Sequence, residues 1–467
     1  MASAARPTRL ASWLAAVTLL SGLSVPVSAD VWPNGPLVTS GRWITDAAGA
    51  KVTYAGVNWP GSLETMIPEG LQYQSVESIV SKVKGLGMNA IRLTYAIEMV
   101  DQYYENGEQD VTVQKAFTDA LGQDDGMDVY GKVVANNPSF GAGTTRLQVY
   151  DAIAAECAKQ EIYVHLDNHV SNATWCCSPI DGNSWWGDTY FDVKNWTRGL
   201  SFMAERGKTW PSLTSMSLRN ELRIPVDKSG AIKFYNWETW YKYIQQGANA
   251  INAANPDVLI FLSGLNSDKT LTPVVQGLAL EPGKQKFNRG DFKHYGDNKL
   301  VLELHEYDNI LTTPSTNCTV TTSKLFEAGF QALSHTAANQ LPLVVTEFGF
   351  PQNASTTDDP YASCILEYFP AQKAGWMIWV LSGSYYIRQG TKDADEEWGL
   401  LTHDWSAWRS PDFVARLLTP AVNASTAPIV DADDAHGGGA GAVAAFGRVP
   451  ATLMLTLGVI AVFACVW

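Results

Sequence analysis

The sequence predicts an α/β protein folded as a single (β/α)8, or TIM, barrel with a small N-terminal β-hairpin. Three observations predict it: eight short apolar runs, helical patterns after most of them, and no Gly-rich phosphate-binding fingerprint after any run. Runs too apolar for a one-sided sheet indicate parallel strands buried on both faces, and eight such units favour a closed barrel. The candidate strands are Thr53–Val57, Ala90–Leu93, Ile162–Leu166, Ser215–Leu218, Val258–Leu262, Leu300–Leu304, Leu343–Thr346 and Trp376–Val380.

The remaining elements follow in chain order. Alternating residues over 37–39, 42–45 and 51–54 predict the N-terminal hairpin, which we expect to plug the barrel floor. Two connections are long, Asp101–Thr145 after the second strand and Val170–Leu213 after the third. Loops after barrel strands gather at the C-terminal face, so both are expected to wall a cleft there. The predicted helices are Val76–Leu86, Arg146–Lys159, Trp237–Ala253, Lys324–Ala338 and Ala362–Phe369.

The two ends of the 467-residue chain read as processing signals. Residues 1–29 predict a signal peptide cleaved after Ala29, because a basic start precedes a short apolar run and small residues. Residues 30–424 form the predicted barrel, and residues 425–441 a linker whose cluster Gly437–Gly441 offers a glycosylphosphatidylinositol attachment site. Residues 442–467 are then the hydrophobic anchor signal, which is removed; the alternative is a membrane-spanning tail. We expect a secreted monomer on the outer membrane leaflet or in the cell wall.

Net charge and cysteine content restrict the class of protein further, and the sequons agree with passage through a secretory pathway. A net charge of −14 disfavours nucleic acid as a partner, since phosphate binding needs clustered Lys and Arg, whereas neutral sugar remains compatible. With Cys465 in the discarded tail, the mature chain carries an odd number of cysteines, which leaves at least one thiol unpaired. Its N-x-S/T sequons lie at Asn172, Asn195, Asn317, Asn353 and Asn423.

Polar residues end the otherwise apolar strands. Buried charges must be compensated by mutual hydrogen bonding, so their recurrence at six strand ends indicates one shared site. Two carboxylates facing one another across a barrel mouth suit the cleavage of glycosidic bonds. We expect Arg92 and Tyr307 to hydrogen-bond Glu347 and keep it ionised, and Asn220 to hold a sugar 2-hydroxyl. The candidate residues are Arg92, His169, Asn220, Glu221, His305, Tyr307, Glu347 and Trp379.

The set resembles glycoside hydrolase family 5, within the large clan of (β/α)8 retaining enzymes. The family pattern of Arg, His, Asn-Glu, His-x-Tyr, Glu and Trp on strands two, three, four, six, seven and eight has a counterpart at every position. The resemblance implies that Glu221 is the general acid/base and Glu347 the nucleophile. Residues 174–188 are similar to the version of the family seen in fungi and plants, including members with a lipid anchor. The family usually has Pro after Asn-Glu, and here Leu222 stands in that place.

Aromatic residues are the expected complement to sugar, since pyranose faces stack on indole rings. Trp379 is the strongest candidate. The alternatives, for which a place in the core is equally compatible, are Trp59, Trp175, Trp185, Trp186 and Tyr386. No cofactor is expected, and no metal, because the His residues lack ligand spacing such as H-E-x-x-H.

The cysteines can also be placed on the predicted barrel. Cys176, Cys177, Cys318 and Cys364 fall near loops after strands and hence on one face, whereas Cys157 falls late in a helix descending to the other. We therefore expect Cys157 to be free and Cys318 to pair with Cys364.

The leading functional hypothesis is a retaining hydrolase of β-linked glucan, similar to an endo-β-1,4-glucanase. The same catalytic set serves β-mannan, β-1,3-glucan and glycolipid substrates, so these stay open. Two further classes also stay open: a transglycosylase in wall remodelling, and a carbohydrate-binding surface protein without turnover.

Overall fold

The computed structural model describes residues 1–2, 32–226, 230–292, 298–307 and 317–429. Most of the predicted signal peptide, most of the predicted linker and the C-terminal hydrophobic stretch therefore lie outside the described residues. Within the described part of the chain, no helix has both the length and the apolar character needed to cross a bilayer.

The barrel predicted from the sequence is confirmed. From residue 32 onward, the first secondary structure is a small antiparallel sheet of β1 (Val38–Ser40), β2 (Trp43–Thr45) and β3 (Lys51–Val52). Eight strands then form a closed barrel in which each pairs in parallel with the next and the last pairs with the first. These are β4 (Ala55–Trp59), β5 (Ala90–Ala96), β6 (Tyr163–Val170), β7 (Leu213–Ser217), β8 (Leu259–Ser263), β9 (Leu300–Glu306), β10 (Leu343–Phe348) and β11 (Gly375–Ile378).

The segments that follow the strands are helical because they carry apolar stripes and capping residues. The first helix buries Val76, Ile79, Val80 and Val83, and Ser75 caps it by accepting a hydrogen bond from the backbone of Ser78. The helices are α1 (Val76–Gly85), α2 (Ile97–Glu105), α3 (Val113–Leu121), α4 (Gln123–Asn136), α5 (Arg146–Lys159), α6 (Val193–Gly207), α7 (Trp237–Ala254), α8 (Thr272–Gln276), α9 (Cys318–Ala328), α10 (Pro360–Gln372), α11 (Pro411–Phe413) and α12 (Thr419–Thr426). A second hairpin, β12 (Ser384–Arg388) and β13 (Thr391–Asp395), follows the last barrel strand.

The N-terminal sheet packs against the barrel interior, as expected of a plug. Leu37 and Ile44 belong to one buried cluster with Tyr54, Phe261 and Met377 of the barrel. The sheet has three strands, whereas the predicted hairpin would have two.

Three other expectations differ from the structure. The helix predicted over 324–338 ends at Ala328 and is followed by a short 3-10 helix, Phe330–Leu333. The long connections contain helices: α2, α3 and α4 lie between β5 and the start of α5, and α6 lies between β6 and β7. The final helix α12 runs to Thr426, past the predicted domain boundary, and its Ser425 accepts a hydrogen bond from the Trp376 indole.

The predicted disulfide chemistry is confirmed for three cysteines. Cys318 and Cys364 form a disulfide across 46 positions of sequence, and Cys157 is a buried free thiol. Cys176 and Cys177, neighbours in the chain, form a second disulfide that the sequence did not predict.

Candidate active site

Arg92 forms the centre of the site. It lies on β5 and is fully buried. Its Nη1 donates to Asn58 at 2.9 Å and to a Glu347 carboxylate oxygen, while Nη2 donates to Asn220 at 2.8 Å. Burial by itself would lower the pKa of Arg92, but the carboxylates of Asp167, Glu347 and Glu303 raise it above its usual value. Arg92 is therefore a permanent cation that holds residues of several strands in place.

Glu347 lies near the end of β10, where an irregularity in the pairing with β9 re-aims the chain. The Tyr307 hydroxyl donates to Glu347 Oε2 at 2.9 Å, so the hydrogen bonds expected from Arg92 and Tyr307 are both present. Burial, followed by the nearby Glu347 charge, raises the pKa of Tyr307 well above its usual value. The phenol consequently stays protonated and acts as a hydrogen-bond donor to the carboxylate.

Glu221 follows β7 in an unusual backbone conformation. Its φ of 46° lies in the left-handed region, which costs energy for a residue with a Cβ and persists only where neighbouring groups hold it. The Asp268 carboxylate does so by accepting the Glu221 backbone N–H at 2.8 Å. The Glu221 side chain is 15% exposed and so can meet a substrate.

His305 joins the two candidate catalytic carboxylates. Its Nδ1 lies 3.2 Å from Glu221 Oε1 and 3.6 Å from Glu347 Oε2, and its Nε2 lies 3.1 Å from Thr346 Oγ1. Burial opposes charge on this ring, but the surrounding carboxylates win and raise the pKa of His305 to about 9. For Glu221 burial raises the pKa, yet the hydrogen bond and charge of His305 bring it below its usual value. At neutral pH the pair is thus an imidazolium beside a carboxylate.

The two carboxylates face one another at close range. One carboxylate oxygen of Glu221, one of Glu347 and a His305 ring nitrogen all lie within 4.8 Å of one another. Glycosidases that retain configuration place their carboxyl groups about 5–5.5 Å apart, whereas inverting enzymes need about 6.5–9.5 Å to admit a water molecule. This approach of one oxygen from each carboxylate favours the retaining over the inverting arrangement.

His169 and Trp379 form the wall beside this pair. The His169 Nδ1 is 2.7 Å from Asp167 Oδ2, and its ring stacks on Trp379 with centroids 5.8 Å apart. Trp379 is partly exposed, and Trp175 packs edge-on against it at 6.3 Å. A partly exposed indole at a cleft wall is a suitable platform for a sugar face.

The structure divides the other aromatic candidates. Trp175 is partly exposed and lies beside Trp379. The other four are core residues, each at most 3% exposed, and serve the fold rather than the cleft: Trp59, Trp185, Trp186 and Tyr386.

The geometry of Glu221, His305 and Glu347 could also place ligand atoms around a cation. A protonated imidazole has no free lone pair, however, so the raised pKa of His305 disfavours metal binding at neutral pH. Cys176 and Cys177 are oxidised to a disulfide, and it is the thiolate that ligates metals.

Sequence reasoning missed four buried polar residues that support the site: Asn58, Asp167, Asp268 and Glu303. Asp167 and Glu303 pair with Arg92 Nη2 at 3.1 and 3.6 Å. The signal that could have found them is the one used for the others, a polar residue within or just after an apolar strand. Asp268 was harder to find, because it contacts the backbone of a residue 47 positions away.

Comparison with known proteins identifies the family. Residues 45–384 match the model of the cellulase family, glycosyl hydrolase family 5. A glycosyl hydrolase 5 family protein of Chamaecyparis obtusa is 35% identical over 86% of this chain and 69% of its own length. An endoglucanase of Paenibacillus polymyxa is 24% identical over 85% of this chain and 91% of that protein. The chain therefore belongs to glycosyl hydrolase family 5 and is a glycoside hydrolase.

Solved structures show the same fold. A hyperthermophilic endocellulase from the archaeon Pyrococcus horikoshii aligns with a TM-score of 0.61 and 18% identity, over 83% of this chain and 99% of that one. The catalytic domain of the major endoglucanase from Xanthomonas campestris pv. campestris aligns with a TM-score of 0.59 and 20% identity, again over 83% and 99%.

Proposed function

We propose that the protein is an endo-acting hydrolase of β-1,4-linked glucan that works with net retention, with Glu221 as general acid/base and Glu347 as nucleophile. The observation that carries the proposal is the approach of these two carboxylates to within 4.8 Å across the barrel mouth. The glucan substrate is supported by the relatives described as endoglucanases and by the Trp379 platform.

The reaction takes two displacements. Glu347 attacks the anomeric carbon while Glu221 gives its proton to the departing glycosidic oxygen, leaving a covalent glycosyl-enzyme. Glu221 then takes a proton from water, which attacks the same carbon and restores Glu347. Arg92 and Tyr307 orient the Glu347 carboxylate for attack, since each holds one of its oxygens.

The proton for the first step is supplied by the pair of Glu221 and His305. The proton resting on His305 Nδ1 can move along the existing contact of 3.2 Å to Glu221 Oε1. Transfer gives a neutral imidazole and a protonated carboxyl group, which is the form that general acid catalysis requires.

The proposal is tested by release of reducing sugar from a panel of β-1,4-glucan, β-1,3-glucan, β-mannan and xyloglucan, with the anomer of the first-formed product read by NMR. We expect cleavage of β-1,4-glucan with the β-anomer formed first. Glu347→Gln should abolish it, while Glu367→Gln, the same change on the exposed surface of α10, should not. First formation of the α-anomer would refute retention, and preference for another glycan would refute the substrate.

We further propose that the protein is secreted, monomeric and held at the outer cell surface by a glycosylphosphatidylinositol anchor near Gly437–Gly441. The Cys318–Cys364 disulfide supports an oxidising compartment, and the sequon residues Asn317, Asn353 and Asn423 are exposed. Release of the protein from cells by a phosphatidylinositol-specific phospholipase is the expected result. Retention on the membrane after treatment would favour a spanning tail instead, and light scattering of the released protein gives its oligomeric state.

A further inference from the structure

The Cys176–Cys177 disulfide lies beside the candidate acid/base. Both residues are partly exposed and belong to the loop that follows β6. Their two sulfur atoms and a carboxylate oxygen of Glu221 lie within 4.8 Å of one another. The disulfide is therefore part of the wall of the catalytic cleft.

Stability does not explain a disulfide in this place. A disulfide stabilises a fold mainly by closing a loop in the unfolded chain, and the effect grows with the length of that loop. Cys176 and Cys177 are adjacent, so their bond closes no loop between distant segments, unlike Cys318–Cys364 with its 46-residue separation. The reason for the pair is to be sought in what its sulfur atoms contact.

Those contacts lead to Asn220. The Asn220 amide nitrogen lies 3.5 Å from Cys176 Sγ and 3.6 Å from Cys177 Sγ, while its oxygen accepts a hydrogen bond from Arg92. Sulfur is a weak hydrogen-bond acceptor. The contacts therefore orient the Asn220 amide hydrogens but leave them able to donate to a stronger acceptor. A sugar hydroxyl entering the cleft is such an acceptor.

The same segment reaches the aromatic platform. Trp175, directly before the disulfide, packs edge-on against Trp379. The stretch Trp175–Cys177 thus runs along the cleft from the indole platform to Glu221, past Asn220. A ring that stacks on Trp379, with its anomeric carbon between Glu221 and Glu347, has this stretch as its neighbour.

We propose that the Cys176–Cys177 disulfide is a substrate-contacting, specificity-determining element for the sugar whose anomeric carbon reacts. This inference rests on the function proposed above. The bond joins two side chains into one compact surface that is polarisable and largely apolar, matching the C–H groups of a pyranose ring. It also fixes the direction in which Asn220 presents its amide hydrogens. Two free thiols would rotate independently and supply neither feature.

The test compares Cys176→Ser/Cys177→Ser with the matched control Cys318→Ser/Cys364→Ser. Kinetics are measured on a cello-oligosaccharide and on an aryl β-cellobioside, whose leaving group carries no sugar. We expect kcat/KM of the first variant to fall by at least ~10-fold, about 1.4 kcal/mol, and by the same factor on both substrates, with Tm unchanged. The control should have a lower Tm and keep kcat/KM, because its disulfide closes a loop across 46 positions, whereas the sulfur atoms beside Glu221 belong to the other disulfide.

Reduction supplies a readout that a purely structural role would not move. In the Cys318→Ser/Cys364→Ser protein the neighbouring pair is the one disulfide left among the described residues. A phosphine reductant should lower its kcat/KM, and reoxidation should restore it. The proposal is overturned if kcat/KM survives loss of the pair, if only the oligosaccharide is affected, or if Tm falls as far as in the control.

A binding measurement separates this proposal from the proposed function. Calorimetric titration of Glu347→Gln enzyme with cellotetraose, with and without the disulfide, needs no turnover. We expect affinity to weaken by ~10-fold when the disulfide is absent. Equal affinities would refute the role of the disulfide even if hydrolysis is confirmed, whereas residual turnover by Glu347→Gln would refute the catalytic assignment alone.

Discussion

Replacing His305 by Gln should move the alkaline limb of the pH profile of kcat/KM to lower pH. In the wild type one proton is held by the pair of His305 and Glu221. Thr346 donates its hydroxyl hydrogen to Glu303 at 2.6 Å, so it accepts from His305 Nε2, and both ring nitrogens carry hydrogen. The proton that general acid catalysis uses is therefore held by the pair and is lost from it as the pH rises. The pKa of His305, about 9, sets the alkaline limb.

The sign and the size of the change follow from what the substitution removes. In His305→Gln the positive charge that lowers the pKa of Glu221 is gone, so burial raises that pKa. Glu221 must nevertheless hold its proton without a second basic group. We expect the limb to fall by at least one pH unit, and each unit costs about tenfold in kcat/KM at a fixed pH above it.

The assay is kcat/KM for an aryl β-cellobioside between pH 4 and 10, with circular dichroism at each pH to verify folding. The amide introduced by His305→Gln can still hydrogen-bond Thr346. The shape of the pH profile then separates a general loss of activity at every pH from a displaced alkaline limb. Coincident alkaline limbs in the two enzymes would refute proton sharing. A wild-type limb in the acidic range would show that Glu221 titrates alone.

Substitutions at three positions test Glu347 and the groups that support the two carboxylates. Glu347→Gln should lower kcat by ~10³-fold or more without lowering Tm, and turnover near the wild-type rate would remove Glu347 from the mechanism. Arg92→Met leaves the carboxylates of Asp167 and Glu347 without their buried cation, so urea unfolding should show a loss of ~3–5 kcal/mol; an unchanged midpoint would contradict this. Asp268→Ala removes the acceptor of the Glu221 backbone N–H and should lower kcat by ~10-fold with little change in KM, and Asp268→Asn, which keeps an acceptor oxygen, should restore most of it. Equal losses in the two Asp268 variants would show that the hydrogen bond is not what positions Glu221.

The barrel could be read from sequence because its strands are buried on both faces and stand out as apolar runs. The prediction of one helix over 324–338 was wrong because hydrophobic periodicity does not show where a chain turns. The chain turns at Gly329, where a Cβ would lie 3.1 Å from Leu343 Cδ1, so this point must approach the barrel closely. The apolar spacing on either side of Gly329 is compatible with one continuous helix.

The sequence predicted the members of the candidate site that are polar residues at strand ends. These include Arg92, Glu221 and Glu347, whose positions follow from the strands that carry them. Asp268 escaped because its partner is a backbone group distant in sequence. The Cys176–Cys177 disulfide escaped because counting and placing cysteines does not indicate which of them pair.

The charges of the site explain why its groups hold one another so closely. Arg92 and protonated His305 pair with the side-chain carboxylates of Glu347 and Glu221, and Asp167 adds another carboxylate on Arg92. Arg223, which donates to the Glu221 backbone carbonyl, is itself paired with the Asp181 carboxylate. Among these paired groups carboxylates outnumber cations, which disfavours folding but suits a reaction whose transition state places positive charge on the sugar ring. Hydrogen bonds from neutral donors such as Tyr307 reduce the cost of burying that excess without cancelling its charge. A substitution that adds a cation here is thus expected to stabilise the fold and slow the chemistry. The negative field that destabilises the free enzyme is the same field that stabilises the transition state.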